Sequence, residues 1–204
     1  MITENFEGKL LTPIPKQTVN LKLLKEDIEG IISFTQLIES LNLEQKLLFD
    51  VSEDYRRNFL KKTDLWFKNI PHSVREKYAV GELLDVVNQE VDDLEMAPRH
   101  GDFAPWHLFK LKDGQLGLID GEHAMTCGVR NYDIAYFVQR VFCVLKNQNL
   151  ALKILDILSC RNYNIKNLKT ILAARAIGGF LDEYLAPKPD YFFATKFKRW
   201  VGNL

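Results

Sequence analysis

The dipeptide Asp113-Gly114, set between the alternating runs Leu108 to Lys112 and Gln115 to Ile119, constrains the fold more than any other feature of the chain. Asp-Gly flanked by alternating apolar residues signals a two-residue hairpin turn, because that turn needs positive φ and glycine adopts it without steric cost. Register then follows by counting. Lys112 opposite Gln115 sets Leu111 against Leu116, Phe109 against Leu118 and His107 against Asp120. One face of the ribbon is apolar up to its open end, where a histidine and a carboxylate stand about 5 Å apart at Cβ. Asp102 lies a short loop upstream and Glu122 just downstream, so the hairpin predicts that Asp102, His107, Asp120 and Glu122 converge. An oxygen-rich cluster with an open side suits magnesium or manganese. A polar hairpin rim with no ligand is the plainer reading of the same residues.

Outside this ribbon the periodicity is helical. Leu24, Ile28, Ile31, Thr35 and Ile38 predict a helix over about 21–41. Ser52 predicts the N-cap of a second helix carrying Phe59, Leu60, Leu65 and Phe67, broken at Pro71-His72-Ser73; Ser73 caps a third that runs, interrupted near Gly81, to about Leu94. Further helices are expected over about 132–146, 150–160 and 165–185, with Pro187 and Pro189 ending the last and a short aromatic helix over about 191–201. The expected class is mainly α (α+β), a helical domain around a small two-stranded element. At 204 residues, with no linker, one core is expected.

Composition removes some partners. The 27 basic and 27 acidic residues balance without a like-charge block of five, which argues against nucleic acid or an anionic membrane as partner. Three scattered cysteines fit neither a disulfide framework nor a zinc knuckle, so a reducing, cytoplasmic setting is expected. No stretch reaches the 18 or so apolar residues of a membrane span, and the N-terminus carries no export signal.

The run HGDFAPWH, from His100 to His107, resembles the catalytic loop H-G-D-x-x-x-x-N of the aminoglycoside phosphotransferase and choline kinase-like family. The later IDGE is similar to that family's metal-binding segment, and Asn131-Tyr132-Asp133-Ile134-Ala135 to its following helix start. The resemblance covers residues 100 to about 136 and implies a kinase-like C-terminal lobe. Its parts would be a hinge-like lead over 1–10, helices over 21–94, the catalytic loop and metal hairpin over 98–122, and C-terminal helices over 131–204. It implies Asp102 as the catalytic aspartate that orients a substrate hydroxyl, and Asp120 as the ligand of a magnesium ion on the phosphates of ATP or GTP. It further implies Glu122 as an additional ligand or water-mediated contact, His100 as a brace of the loop, and Asp133 as a structural carboxylate. The lead Ile2 to Gly8 is similar to the family's hinge, with the Glu4 carbonyl and Phe6 amide facing the base; an ordinary N-terminal arm is the alternative.

Two departures matter. His107 stands where the family has asparagine, offering a nitrogen that suits manganese better than magnesium, or a donor to phosphate. No G-x-G-x-x-G occurs, and the residues before His100 read as helices, so the expectation is a C-lobe whose N-lobe is absent or encoded upstream. Three functions are compatible: a phosphotransferase acting on a small-molecule hydroxyl (an amino sugar, choline or similar), weak in this chain alone; a degenerate kinase-like binding module; and a metal-dependent hydrolase using His100, Asp102, His107, Asp120, Glu122 and His123. Asp182, Glu183 and Asp190 are candidates to meet a cationic acceptor, or form a solvated face.

Overall fold

The computed structural model describes residues 8–10, 22–42 and 54–204; Glu4, Phe6 and Ser52 lie outside the described residues. In chain order the elements are β1 (Gly8–Leu10), α1 (Lys22–Glu26), α2 (Ile28–Ser40), α3 (Tyr55–Asn69), α4 (His72–Lys77), α5 (Gly81–Glu90), β2 (Met96–Arg99), β3 (Leu108–Leu111), β4 (Leu116–Leu118), β5 (Met125–Val129), α6 (Tyr132–Cys143), α7 (Gln148–Cys160), α8 (Ile165–Leu185) and α9 (Phe192–Gly202). The first expected helix is interrupted at Asp27, whose carboxylate turns out to meet Lys110 on β3 at 2.5 Å. The cap of α3 is Asp54, accepting the Arg57 amide at 3.2 Å. α4 starts two residues early, capped at Pro71 rather than Ser73.

The core is organised on α8. This helix is apolar nearly all round, the signature of a helix with no solvent face, and every residue from Leu172 to Phe180 is buried. Its small residues bring neighbours close: a methyl on Gly179 would stand 3.0 Å from Gln139 of α6, and one on Gly178 3.4 Å from Trp66 of α3. α6, likewise buried along almost its whole length, packs on α8 and carries the residues that follow the hairpin.

The hairpin departs from the expected register. Leu108 pairs with Leu118, Phe109 with Gly117 and Lys110 with Leu116. The turn uses three residues, not two: the Leu111 amide donates to the Gln115 carbonyl at 2.9 Å and the Gly114 amide to the Leu111 carbonyl at 3.1 Å. Only Gly114 has positive φ (86°), whereas the two-residue turn would require it of Asp113 as well. Asp113 instead uses its side chain, accepting the Gln115 amide at 2.9 Å. Because side chains alternate across a strand, this slip of one residue changes faces: Leu108, fully buried, points to the core in place of Phe109.

There are also more strands than expected. β1 adds to the hairpin, Gly8 opposite Leu111 and Leu10 opposite Phe109, giving the order β1-β3-β4. β2 and β5 form a separate antiparallel pair, with Met96 opposite Val129 and a bulge between Ala97 and Arg99, at Pro98. Proline and glycine deplete strands and mark bulges, which hid this pair in the sequence.

The glycines test this backbone directly. Gly114→Ala places Cβ at positive φ with no neighbour within 4 Å, so strain alone should cost about 1–2 kcal/mol. Gly81→Ala, at an ordinary helical φ and equally open, should gain up to about 1 kcal/mol. Opposite signs in urea denaturation are the expected outcome; the same sign would contradict the turn described.

Candidate active site

The loop between β2 and β3 is held by Asp133. Sitting in the first turn of α6, Asp133 accepts the backbone amide of His100 at 2.6 Å and that of Gly101 at 2.8 Å. It is buried, and burial holds its carboxyl above the usual range against the opposing pull of the two amides. The loop needs glycine at 101 twice over. Its φ is +85°, and a methyl there would stand 2.3 Å from the His123 carbonyl oxygen. His100 is buried edge-on to Phe103, and burial lowers its pKa against the opposing pull of Asp133, Asp102 and the Ile119 backbone.

Beyond Gly101 the chain turns sharply. The Asp102 carbonyl takes the Ala104 amide at 2.8 Å, and Pro105 opens a short 3-10 turn ending at His107. The same carbonyl meets His107 Nδ1 at 2.9 Å. A carbonyl only accepts, so Nδ1 carries the hydrogen. Nε2 then points the other way, 3.6 Å from Asp120 Oδ2, while Nδ1 is 3.6 Å from Asp102 Oδ2. One ligand atom each from Asp102, His107 and Asp120 lie within 4.8 Å of one another. His107 does not face Asp120 across the ladder as the counted register required: residue 107 bonds Ile119, whose amide donates to the His107 carbonyl at 3.1 Å. Asp120 reaches the histidine because the chain leaves β4 in a left-handed turn at Asp120 itself, φ 67° and ψ 52°, a conformation aspartate tolerates.

Glu122 does not join them. Its side chain is 72% exposed and stands 3.6 Å from His123 Nε2. One contributor had no motif to announce it: the Tyr136 hydroxyl lies beside Asp102 and accepts a hydrogen bond from Arg140 at 2.8 Å. Burial pushes the phenol up to about 12. It therefore stays protonated, and with its oxygen already accepting from Arg140 its own hydrogen is left to face Asp102. Its only sequence signal is its position one helical turn past Tyr132.

Two carboxylates and an imidazole whose far nitrogen is fixed by a backbone carbonyl make a donor set for a divalent cation. A nitrogen among them suits manganese better than magnesium.

No protein-family model and no curated protein matches the sequence. Solved structures do resemble the fold. Choline kinase LicA from Streptococcus pneumoniae is 13% identical with a TM-score of 0.55, over 88% of this chain and 63% of that one. LicA in complex with AMP gives 13% and 0.54, over 89% and 62%. A thermostable mutant of aminoglycoside phosphotransferase APH(4)-Ia, apo form, gives 14% and 0.66, over 98% and 70%. The fold is kinase-like. The chain spans less than two thirds of the length of the choline kinase, and identities this low speak for the fold alone.

Next to this loop, Glu39 ties α2 to α6: its carboxylate, 8% exposed, accepts the Asn131 amide at 2.6 Å. Burial outweighs that bond and nearby Arg130 and pushes its pKa up to about 7.

Two measurements follow. Asp133→Asn keeps the shape but turns a donor toward an amide donor, and should cost about 2–3 kcal/mol in chemical denaturation. For Glu39 the folded state holds the proton more tightly than the unfolded chain, whose value is about 4.3. Its contribution is thus complete below about pH 4.5 and is lost as pH rises through about 7. The full span is on the order of 3 kcal/mol. Stability should fall between pH 5 and 8, and Glu39→Gln, which keeps the acceptor, should remove that part of the slope.

Proposed function

We propose that the chain is the C-lobe of an ATP- or GTP-dependent phosphotransferase acting on a small-molecule hydroxyl. The observation that carries this is the convergence of Asp102, His107 and Asp120 at a loop anchored by Asp133, within a fold shared with a choline kinase and an aminoglycoside phosphotransferase. Asp102 accepts the hydrogen bond of the acceptor hydroxyl and sets its oxygen in line with the γ-phosphorus. The acceptor O–P bond forms as the bond to the β-phosphate oxygen breaks, and the hydroxyl proton passes to Asp102. Phosphoryl transfer of this kind depends on positioning and charge neutralisation more than on a strong base. Tyr136, its hydrogen directed at Asp102, keeps the carboxylate oriented.

Asp120 and His107 Nε2 would hold a divalent cation, magnesium or, favoured by the nitrogen, manganese. When bound it supplies neutralisation of the β- and γ-phosphate charge. Glu122, exposed and beside His123, would add a ligand or a water-mediated contact. Nucleotide contacts by Glu4 and Phe6 belong to this reading as the hinge. The sequence holds no G-x-G-x-x-G loop.

Titration calorimetry with manganese·ADP and magnesium·ADP tests the reading. Metal-dependent binding should weaken at least tenfold in Asp120→Asn. His107→Asn should shift preference from manganese toward magnesium. Where the protein turns over, Asp102→Asn should reduce turnover by about 10²–10⁴ with ADP affinity kept. Nucleotide binding with no transfer to any hydroxyl, and no effect of Asp102→Asn, would instead favour the binding module that His107 in place of asparagine suggests. Nucleotide binding that ignores both the metal and Asp120 would remove the proposal.

A further inference from the structure

Near Asp102, three cations gather around one tyrosine, Tyr132. The Arg99 guanidinium lies flat on the Tyr132 ring, 4.0 Å from its centroid. It is laid there by Gly128 on the paired strand, where a methyl would stand 2.6 Å from the Arg99 Cδ. Arg175, 4% exposed in the middle of apolar α8, donates to the Tyr132 hydroxyl at 3.2 Å and stacks on Tyr136 and Trp66 at 4.3 and 4.9 Å. Lys62 of α3 stands 5.3 Å from the Trp66 ring, close enough to sense both arginines, Tyr132 and Asp102. Solvent reaches Lys62, yet the surrounding protein lowers its pKa, as expected on a concave wall.

None of the three has a carboxylate partner among the described residues. Other cations do have one: Arg140 is paired with Asp182, Arg130 with Glu95 and Lys110 with Asp27. Among the described residues, the Nε atoms of Arg99 and Arg175 are buried without a hydrogen-bond partner, and Arg99 donates to the weak Met125 sulfur at 2.9 Å. Buried charge is costly unless it is paired. A cavity of 170 Å³ bounded by Tyr55, Phe59, Lys62, Arg99, Met125 and Gly128 opens on Lys62 and Arg99, with Arg175 behind Tyr132. The acids that were candidates for a cationic acceptor are engaged elsewhere: Asp182 with Arg140, and Glu183 with the Asp190 amide at 3.2 Å.

We propose that Lys62, Arg99 and Arg175 form an anion subsite, and that the acceptor is a hydroxyl compound carrying a phosphate or carboxylate rather than an ammonium group. The word acceptor rests on the phosphotransferase reading above. The subsite holds the anionic group, and Lys62, the cation nearest solvent, admits it.

Inorganic phosphate at constant ionic strength is the probe, followed by the indole N–H resonance of Trp66 in the intact chain, with acetate and choline chloride as parallel arms. Phosphate should shift the resonance saturably, and acetate too if a carboxylate suffices. Lys62→Glu and Arg99→Gln should each weaken phosphate at least tenfold; Lys62 is at the surface, so its variant folds. Asp120→Asn should leave phosphate affinity within about threefold. Equal loss in Asp120→Asn would place the anion at the metal end and overturn the proposal. So would a saturable response to choline with none to phosphate. Manganese·ADP titrated into the same samples separates the two readings: phosphate bound at Lys62 without nucleotide at Asp120 would overturn the acceptor role, whereas nucleotide without phosphate would overturn the subsite and leave the phosphotransferase standing.

Discussion

Two backbone amides meeting one buried carboxylate fix the position of everything at the site. Asp133 takes the amides of His100 and Gly101, and the loop they begin has little regular pairing of its own. An ionised group buried this far is costly by itself. It is offset by the two charge-assisted bonds and by its place in the first turn of α6, where the helix dipole favours negative charge. Its rigidity is inherited: α6 is packed against α8, and α8 has no solvent face over its middle turns. The large apolar burial in the helices thus serves to hold a short irregular loop, and Gly101 lets that loop pass within van der Waals distance of His123.

Much of this was legible in the residues, and the misreadings have specific causes. Helices with long apolar stripes, α6 to α9, lie where periodicity put them, to within a few residues at their ends. The hairpin was also located correctly, but Asp113-Gly114 satisfies two turns. A two-residue turn needs positive φ at both positions; a three-residue turn needs it only at glycine, and the aspartate side chain then caps the bend. Local sequence does not separate them, and the choice moves the register by one. The proximity of His107 and Asp120 survives for another reason, the left-handed turn at Asp120 that bends the chain back after the ladder ends. β2 and β5 were hidden because each is short and carries Pro98 or Gly128, residues whose purpose is tertiary: Gly128 clears the path of Arg99.

The charges around Asp102 fall into two sets. Toward the hairpin lie Asp120 and His107, a set of lone pairs suited to a cation. Toward α3 and α8 lie Lys62, Arg99 and Arg175, a set of N–H donors suited to an anion. Arg175 carried a sequence signal, a lone guanidinium in an apolar helix, but Lys62 and Arg99 did not, because their meeting depends on β2 pairing with β5. Tyr136 stands at the boundary and accepts from Arg140, so the carboxylate between the two sets is steadied by a neutral donor that adds no charge to either.

His107 is the residue whose chemistry the geometry alters most. As a bare substitution for asparagine it reads as the loss of a metal ligand. In place, its Nδ1 is occupied by the Asp102 carbonyl at 2.9 Å, which fixes the tautomer and leaves Nε2 with a lone pair directed at the Asp120 carboxylate. Two acceptors 3.6 Å apart repel unless something positive lies between them. A cation there would be held by nitrogen on one side and oxygen on the other, next to the phosphates of a bound nucleotide on the phosphotransferase reading. On that reading the nitrogen shifts the preference from magnesium toward manganese.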